Sequence, residues 1–298
     1  MPPAPPPSWP AQTDPVDLLL VGGLTIDRFA DGSLQPGGAV LHAARAARAA
    51  GCRVGIVSVA GPEPVGRAGV AELLDISVFA LVADAPQTPA FRHREGRVGR
   101  RLWLEPGGAG VRMAPGAQLP MQAHAVLFAP VFDELPDASL GWGGAALRGA
   151  CLQGWLRRTE AGGAIAPLEL ASLHDSTVSR LATFDALFAS DEDVSADRGT
   201  PERQLDALRT RLGPGPLLVL TLGADGAWFD IDRPQGTRAR WHMAAPTRID
   251  DVATTGAGDA FAALFLASYD GALSRDGVSD AAAQAMSGVV RMLEKRRR

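Results

Sequence analysis

The sequence predicts an α/β fold in which a central, mostly parallel β-sheet is flanked by helices on both faces, with a small β lid. Short runs rich in Val, Ile and Leu alternate with segments of helical composition along most of the chain. This alternation is typical of βαβ units. The run at 216–222 is apolar almost throughout, as expected for a parallel strand buried on both faces.

The elements can be placed in order from these runs and from the glycines that bound them. The first strand ends at Gly22-Gly23, and the first helix is opened by Gly37-Gly38 and closed by Gly51, since glycine is common at helix ends. Strands are predicted at 16–21, 53–60, 76–82, 125–130, 186–189 and 216–222. Helices are predicted at 39–50, 68–75, 205–212, 260–268 and 281–293, with another ending within 178–184.

Residues 88–105 interrupt the alternation. Polar and apolar residues alternate there on both sides of a Glu-Gly-Arg turn, which predicts a hairpin outside the main sheet. A solvated edge hairpin and a lid over an active site both remain open, and its arginines could attract an anionic substrate. We expect 27–36 and 88–105 to form the lid of a single domain over 15–298. The Pro-rich residues 1–14 are expected to form a disordered tail.

Composition excludes several classes of function. The chain has 298 residues, and 29 Lys and Arg against 33 Asp and Glu give a net charge of −4, which argues against a nucleic-acid-binding protein. Its one lysine, Lys295, lies in a charged terminal run, so a Walker phosphate loop and a Schiff-base site are excluded. Two cysteines indicate a reducing compartment. With neither a secretory signal nor a membrane-spanning segment in the sequence, a cytoplasmic enzyme without a membrane partner is expected.

The most informative segment is Thr-Thr-Gly-Ala-Gly-Asp-Ala-Phe at 254–261, just before a predicted helix. Glycines at this place leave backbone N–H groups uncovered, and the helix dipole adds positive charge, which together favour an anion. Asp259 at the rim could accept a proton from a hydroxyl. An anion hole beside a base suits a small-molecule kinase, although a simple glycine-rich turn with an Asp in the first helical turn would look the same.

Four motifs in order make the chain resemble the ribokinase-like carbohydrate kinases, also called the PfkB family. The segment 254–261 matches the second signature of that family, and the double glycine Gly37-Gly38 matches the first. Asp27 follows the glycines after the first strand, and Thr221-x-Gly223-x-x-Gly226 matches the nucleotide-site pattern. The resemblance extends from about Val16 over nearly the whole chain.

The resemblance implies a role for each matched residue. Asp259 would be the general base, and the amides of Gly256, Ala257 and Gly258 would stabilise the transferred phosphoryl group. Asp27 with Gly37 and Gly38 would hold substrate hydroxyls. ATP would bind along Thr221, Gly223 and Gly226. The implied activity is ATP-dependent phosphorylation of a hydroxyl on a sugar or related polyol, with Mg²⁺, and a homodimer is compatible with it.

Four departures from the family pattern carry further expectations. Ala253 replaces the Asp tied to a monovalent-cation site, which makes activation by a monovalent cation doubtful, although Asp250 or Asp251 lies just upstream. His42 replaces an Asn and is expected to contact substrate. The Asn-x-x-Glu element reads Ser190-Asp191-Glu192-Asp193, where Asp193 or Glu192 would order the magnesium-bound water. The adenine pocket would be less enclosed, with Gln284 as a contact to the base.

Other interpretations remain at this point. A catalytically weak or regulatory member of the family would bind nucleotide or sugar without efficient transfer, and the altered residues motivate that alternative. A nicotinamide-dependent fold lacks its Gly-x-Gly-x-x-Gly after the first strand, and the histidines lack paired zinc-ligand spacing. The segment Gln153-Gly-Trp-Leu-Arg157 resembles an inositol- or sugar-kinase branch, but the acceptor itself stays open among sugars, polyols, sugar phosphates and nucleosides.

Overall fold

The computed structural model describes residues 15–95, 100–108, 111–113, 122–135, 144–194, 199–232, 236, 238–249 and 252–297. The expected tail at 1–14 and the acidic pair Asp250-Asp251 lie outside the described residues, as does Arg97 of the predicted hairpin.

The described strands and helices alternate along most of the chain. The strands are β1 (Val16–Val21), β2 (Thr25–Arg28), β3 (Leu34–Gly37), β4 (Val54–Ala60), β5 (Phe79–Asp84), β6 (Ala90–Glu95), β7 (Arg100–Leu104), β8 (Gln122–Phe128), β9 (Gly144–Cys151), β10 (Arg157–Thr159), β11 (Ile165–Pro167), β12 (Ala186–Ser190), β13 (Leu217–Thr221), β14 (Ala227–Asp232) and β15 (Arg238–Met243). The α-helices are α1 (Ala39–Ala49), α2 (Pro64–Ile76), α3 (Asp175–Leu181), α4 (Pro201–Leu212), α5 (Ala257–Ser268) and α6 (Arg275–Arg297).

A nine-stranded sheet forms the centre of the molecule in the order β15-β14-β13-β12-β9-β8-β1-β4-β5. All neighbours from β13 to β5 pair in parallel, and the two antiparallel pairings in this sheet are β13 with β14 and β14 with β15. The mostly parallel sheet expected from the sequence is therefore confirmed.

The two faces of the sheet carry separate apolar cores, which is why its strands are apolar on both sides. In β1, Leu18 and Leu20 belong to the core under α1, α5 and α6, whereas Leu19 and Val21 belong to the core under α3 and α4. Alternate residues of a strand point to opposite faces. Each face is thus covered by helices, as the α/β prediction requires.

A second, four-stranded sheet has the order β3-β2-β6-β7 and stands apart from the central one. The hairpin expected over 88–105 is present as β6 and β7, which pair in antiparallel fashion. Strand β2 joins it in parallel and also pairs with β3. We call these four strands the lid sheet, because residues of β2, β6 and β7 border the cleft described below.

Several element boundaries differ from the sequence expectation. Helix α2 begins at Pro64 rather than at 68, since proline is well suited to the first helical turn. The next strand runs Phe79–Asp84 rather than 76–82. Strand β9 was not predicted, because its Gly, Ala and Arg residues carry no strand signal and its place between β8 and β12 is set by tertiary packing.

None of the helices in the described part of the chain is both long enough and apolar enough to cross a membrane.

Candidate active site

A cleft of about 1360 Å³ lies between the lid sheet and the carboxyl ends of the central strands. Ligands of open α/β sheets bind at this edge. Most of the residues singled out in the sequence line it together: Asp27, Gly38, His42, Ser190, Glu192, Asp193, Thr221, Gly223, Gly256, Ala257, Gly258 and Asp259. Gly37, Gly226 and Gln284 are not among the residues that line it.

The turn before α5 forms the floor of the cleft. Gly256 precedes the helix in a left-handed conformation with φ 78°, which glycine adopts without strain. The amide of Ala257 donates to the Thr254 carbonyl at 2.9 Å. The expectation that all three amides face a phosphoryl group is therefore corrected at Ala257, because its N–H closes the turn. Among the described residues, no backbone carbonyl accepts from the amides of Gly256 and Gly258.

His42 supports this turn from below. It lies in the first turn of α1, after Gly38 at φ 105°, and is buried. A Cβ atom at position 256 would come within 2.2 Å of His42 Cγ, which is closer than real Cβ contacts. The backbone of Gly256 therefore rests directly on the imidazole, so His42 packs against the loop as well as lining the cleft.

Asp259 is held by a side chain that the sequence expectation did not include among the site residues. Gln153 donates from Nε2 to Asp259 Oδ1 at 3.1 Å. Its Oε1 accepts from Arg157 Nη2 at 3.0 Å, and the same Nη2 lies 3.4 Å from Asp193 Oδ1. Ser190 Oγ donates to Asp193 Oδ2 at 2.9 Å. A continuous polar chain therefore joins Asp259 to Asp193 across the cleft.

Besides the resemblance of 153–157 to an inositol- or sugar-kinase branch, the sequence signal for Gln153 and Arg157 is their place after the run that forms β9. Gln153 follows β9 in a short 3₁₀ turn, and Arg157 begins β10. Because β9 was not recognised as a central strand, its carboxyl end was not expected to reach the site. The four-residue spacing brings both side chains to the same place.

Cys151 lies at the end of β9, beneath the carboxylates. Burial raises the pKa of its thiol well above the ordinary value, and the nearby charges of Asp259 and Asp193 raise it further. A protonated thiol is a poor nucleophile. Cys151 is therefore a packing residue of the cleft wall.

On the lid side, Asp27 is packed among polar and aromatic groups. Its Oδ1 lies 3.2 Å from His93 Nε2 and accepts from Thr25 Oγ1 at 3.2 Å. The His93 ring stacks on Phe29 at 5.0 Å between centroids. A Cβ atom at position 37 would come within 2.4 Å of Asp27 Oδ2. Gly37 therefore makes room for the carboxylate instead of lining the cleft itself.

Two arginines of the hairpin are engaged within the lid. The guanidinium carbons of Arg92 and Arg94 lie 5.5 and 5.6 Å from the centre of the Trp103 ring, within the range of cation–π contacts. Both residues also border the cleft. Both guanidinium groups thus contact the Trp103 ring. That they attract an anionic substrate stays a prediction.

At the opposite end of the cleft, Thr221 ends β13 and Gly223 begins the 3₁₀ turn that follows. Thr221 Oγ1 donates to the Ala189 carbonyl at 3.3 Å. Gly226 lies farther on at φ 93°, and a Cβ atom there would come within 2.1 Å of the Met243 carbonyl oxygen. Its glycine is needed for the close approach of the two chain segments. Gln284 is exposed on α6.

The carboxylates at 191–193 follow β12 and border the same end of the cleft. The described residues contain no group of three or more His, Cys, Asp or Glu side chains that could hold a metal ion. Mg²⁺ usually binds one or two protein carboxylates together with substrate phosphates and water. The hard oxygens of Asp193 and Glu192 fit that mode of binding.

The chain was compared with solved structures. It superposes on a pyrophosphate-dependent kinase in the ribokinase family, complexed with a pyrophosphate analogue and myo-inositol, with a TM-score of 0.70 and 16% identity over 93% of this chain and 95% of that one. Aminoimidazole riboside kinase from Salmonella enterica gives 0.66 and 17%, over 93% of both chains. A fructokinase double mutant from Vibrio cholerae O395 gives 0.63 and 18%, over 93% of both chains. These likenesses show the ribokinase fold.

No curated protein sequence matches the chain significantly. The family model described as pfkB family carbohydrate kinase matches residues 142–292, just over half of the chain. That match includes the turn before α5 with Asp259, and also Gln153, Ser190 and Thr221. The chain therefore belongs to the PfkB family of carbohydrate kinases.

Proposed function

We propose that this carbohydrate kinase transfers the γ-phosphoryl group of ATP to a hydroxyl of a sugar or related polyol, with Asp259 as the general base. The observation that carries the proposal is the position of Asp259 in the first turn of α5, bordering the cleft and held by Gln153. A carboxylate fixed beside a helix N-terminus can take a proton from an attacking hydroxyl next to a site that favours anions.

Charge on the phosphoryl group in transfer would be stabilised by the same turn. The α5 dipole and the amides of Gly256 and Gly258 supply fixed positive ends without reorganisation. The amide of Ala257 keeps the turn closed through Thr254. Because little covalent chemistry is required of the protein in phosphoryl transfer, positioning and electrostatics carry the rate.

The acceptor would bind between Asp259 and the lid sheet. Asp27 retains acceptor capacity on both carboxylate oxygens, and His93 lies beside it. A carboxylate that accepts from two neighbouring hydroxyls recognises vicinal diols, which sugars and polyols share. Gly38 and His42 form the adjoining wall. We propose a neutral polyhydroxylated acceptor for this end of the cleft.

The donor would lie at the other end, along Ser190, Thr221 and Gly223. Asp193 and Glu192 would hold Mg²⁺ through water or directly. When bound, Mg²⁺ neutralises charge on the donor phosphates. Arg157 places a permanent positive charge at the same end, since its guanidinium lies between Gln153 and Asp193.

Inorganic pyrophosphate is a second candidate donor. The donor end is lined by Ser190, Asp191, Glu192, Thr221 and Gly223, and Gln284, the residue expected to contact adenine, is outside the lining. Two of these residues are carboxylates, so a donor recognised through its phosphates would bind them together with Mg²⁺. The structural relative complexed with myo-inositol is itself pyrophosphate-dependent, which makes this donor worth a direct test.

The proposal is tested by a product-release screen in two arms. One arm measures ADP release from ATP, and the other measures phosphate release from pyrophosphate, each with Mg²⁺ and a panel of sugars, polyols, sugar phosphates and nucleosides. Acceptor-dependent turnover with ATP supports the proposal, and turnover with pyrophosphate alone assigns the second donor. Binding of acceptor and nucleotide without turnover in either arm would contradict it and favour a regulatory member of the family.

A further inference from the structure

The loop before Gly256 is held by a guanidinium group from the last turn of α6. Arg296 Nη1 donates to the Ala253 carbonyl at 3.0 Å and to the Thr255 carbonyl at 2.8 Å. One Nη atom carries two N–H groups, so it can serve both carbonyls at once. These two carbonyls flank Thr254, whose own carbonyl accepts from the Ala257 amide. A cationic group and an internal turn therefore fix every carbonyl from 253 to 255.

The residues of this loop do not fit a monovalent metal ion, the group that the family resemblance implies here. Such an ion needs several oxygen ligands around one point. Ala253 supplies no side-chain oxygen where the family pattern has a carboxylate. The Ala253 and Thr255 carbonyls already accept hydrogen bonds from Arg296. The guanidinium of Arg296 therefore occupies the two carbonyl oxygens that could otherwise coordinate an ion.

Two features of its surroundings oppose the positive charge of Arg296 but do not remove it. Partial burial lowers the pKa of Arg296 from its ordinary value, and the charge of Arg45 lowers it further; arginine nevertheless stays protonated in proteins. Arg45 is itself neutralised by Glu72, with Nε–Oε1 and Nη2–Oε2 distances of 2.6 and 2.7 Å. Helix α1, which carries Arg45, also places His42 under Gly256. The loop is therefore supported by α1 below and by α6 at its carbonyls.

We propose that Arg296 is a positioning residue whose guanidinium serves as the built-in cation of the 253–255 loop, so that phosphoryl transfer needs no monovalent metal ion. The guanidinium orients the carbonyls of the loop and thereby directs the amides of Gly256 and Gly258 toward the cleft. The kinetic part of this inference rests on the proposed kinase activity. Its structural part concerns the loop alone and can be measured without substrate.

The structural part is tested by hydrogen exchange on the full chain, followed by mass spectrometry of the peptide that covers 252–261. We compare the wild type, Arg296→Ala and the control Arg297→Ala, which removes the same charge from the neighbouring exposed position. Faster exchange in Arg296→Ala alone, reversed by millimolar guanidinium chloride but not by tetramethylammonium chloride, supports the proposal. Identical exchange in Arg296→Ala and the wild type would overturn it, whatever the activity of the protein.

The kinetic part uses any acceptor found in the screen. The wild type should turn over equally in potassium, sodium and tetramethylammonium chloride at one ionic strength. Arg296→Ala should lose about 10- to 100-fold in kcat, as expected for hydrogen bonds from a charged donor, and guanidinium should restore part of it. Clear activation of the wild type by potassium over tetramethylammonium would overturn the proposal. So would restoration of Arg296→Ala activity by potassium, sodium and tetramethylammonium chloride to the same extent as by guanidinium chloride.

Discussion

Gln153 and Asp259 are joined by a hydrogen bond of 3.1 Å between Nε2 and Oδ1, although they lie at the ends of different elements, β9 and α5. The amide group can donate in only one orientation, and Arg157 fixes that orientation by donating to Oε1 at 3.0 Å. The amide of Gln153 thus fixes the orientation of the proposed base, which borders the cleft where a substrate hydroxyl would bind.

Replacing Gln153 tests this relationship. Gln153→Leu keeps a side chain of similar bulk and removes the donor to Asp259, so kcat should fall by about 10- to 100-fold, the worth of a hydrogen bond to a charged group. The KM for the donor should change little. Steady-state kinetics with the best acceptor give both numbers. Unchanged kcat would show that Gln153 does not orient the base.

Two glycines of the same turn should respond differently to an added methyl group. Gly256→Ala places a Cβ 2.2 Å from His42 Cγ at a φ of 78°, so the free energy of unfolding should fall by about 2–5 kcal/mol from combined backbone strain and overpacking. Gly258→Ala meets no atom within 4 Å and should fold with nearly unchanged stability. Denaturant unfolding of both variants measures the difference. Equal stabilities would contradict the packing of His42 under the turn.

Asp27 should govern acceptor binding without affecting the donor. Asp27→Asn keeps the shape but removes the charge beside His93, and the KM for the acceptor should rise by about 10- to 100-fold because charge-assisted hydrogen bonds to substrate hydroxyls are lost. The exposed Asp84 at the end of β5 provides the control variant Asp84→Asn. A changed donor KM with an unchanged acceptor KM would place the acceptor elsewhere.

The thiol of Cys151 should be resistant to alkylation in the folded protein. Its pKa is raised, first by burial and then by the charges of Asp259 and Asp193, so the folded state retains the proton at pH values where an exposed thiol has lost it. At about pH 8.5, where a free cysteine is half ionised, iodoacetamide should modify Cys151 only after unfolding. Peptide mass mapping checks this, and rapid labelling of the native protein would be inconsistent with the buried, acid-flanked position.

The parallel part of the fold could be predicted because both faces of the sheet are buried, so that strands such as β1 and β13 stand out as apolar runs. Strand β9 could not be recognised, because Gly144–Cys151 is rich in small residues and its strand conformation depends on β8 and β12. The antiparallel pair β14 and β15 at the edge was missed for a related reason: β15 carries Arg238, Arg240 and His242 on an edge strand. The local composition of a segment thus indicates whether a strand is buried, but not whether it pairs with distant segments of the chain.

In the site, too, residues in local motifs could be predicted, whereas residues that act through distant contacts could not. Asp259 and Gly256 could be predicted, because glycines directly before a helix form a local sequence pattern. Gln153 and Arg296 act through contacts that span 106 and 41–43 positions along the chain. Such contacts are created by the fold alone. Ala257 illustrates the limit within a motif, since only the structure shows that its amide is turned to Thr254.

The most direct test of the central claim is the turnover of Asp259→Asn on an acceptor identified with the wild type, with donor affinity measured separately by calorimetry. The asparagine keeps the shape of the side chain and its contact with Gln153 but cannot take up the substrate proton. Turnover should fall by about 10²–10⁴, the usual contribution of a positioned base, while donor affinity stays nearly the same. Equal turnover of the two proteins would remove Asp259 from the mechanism.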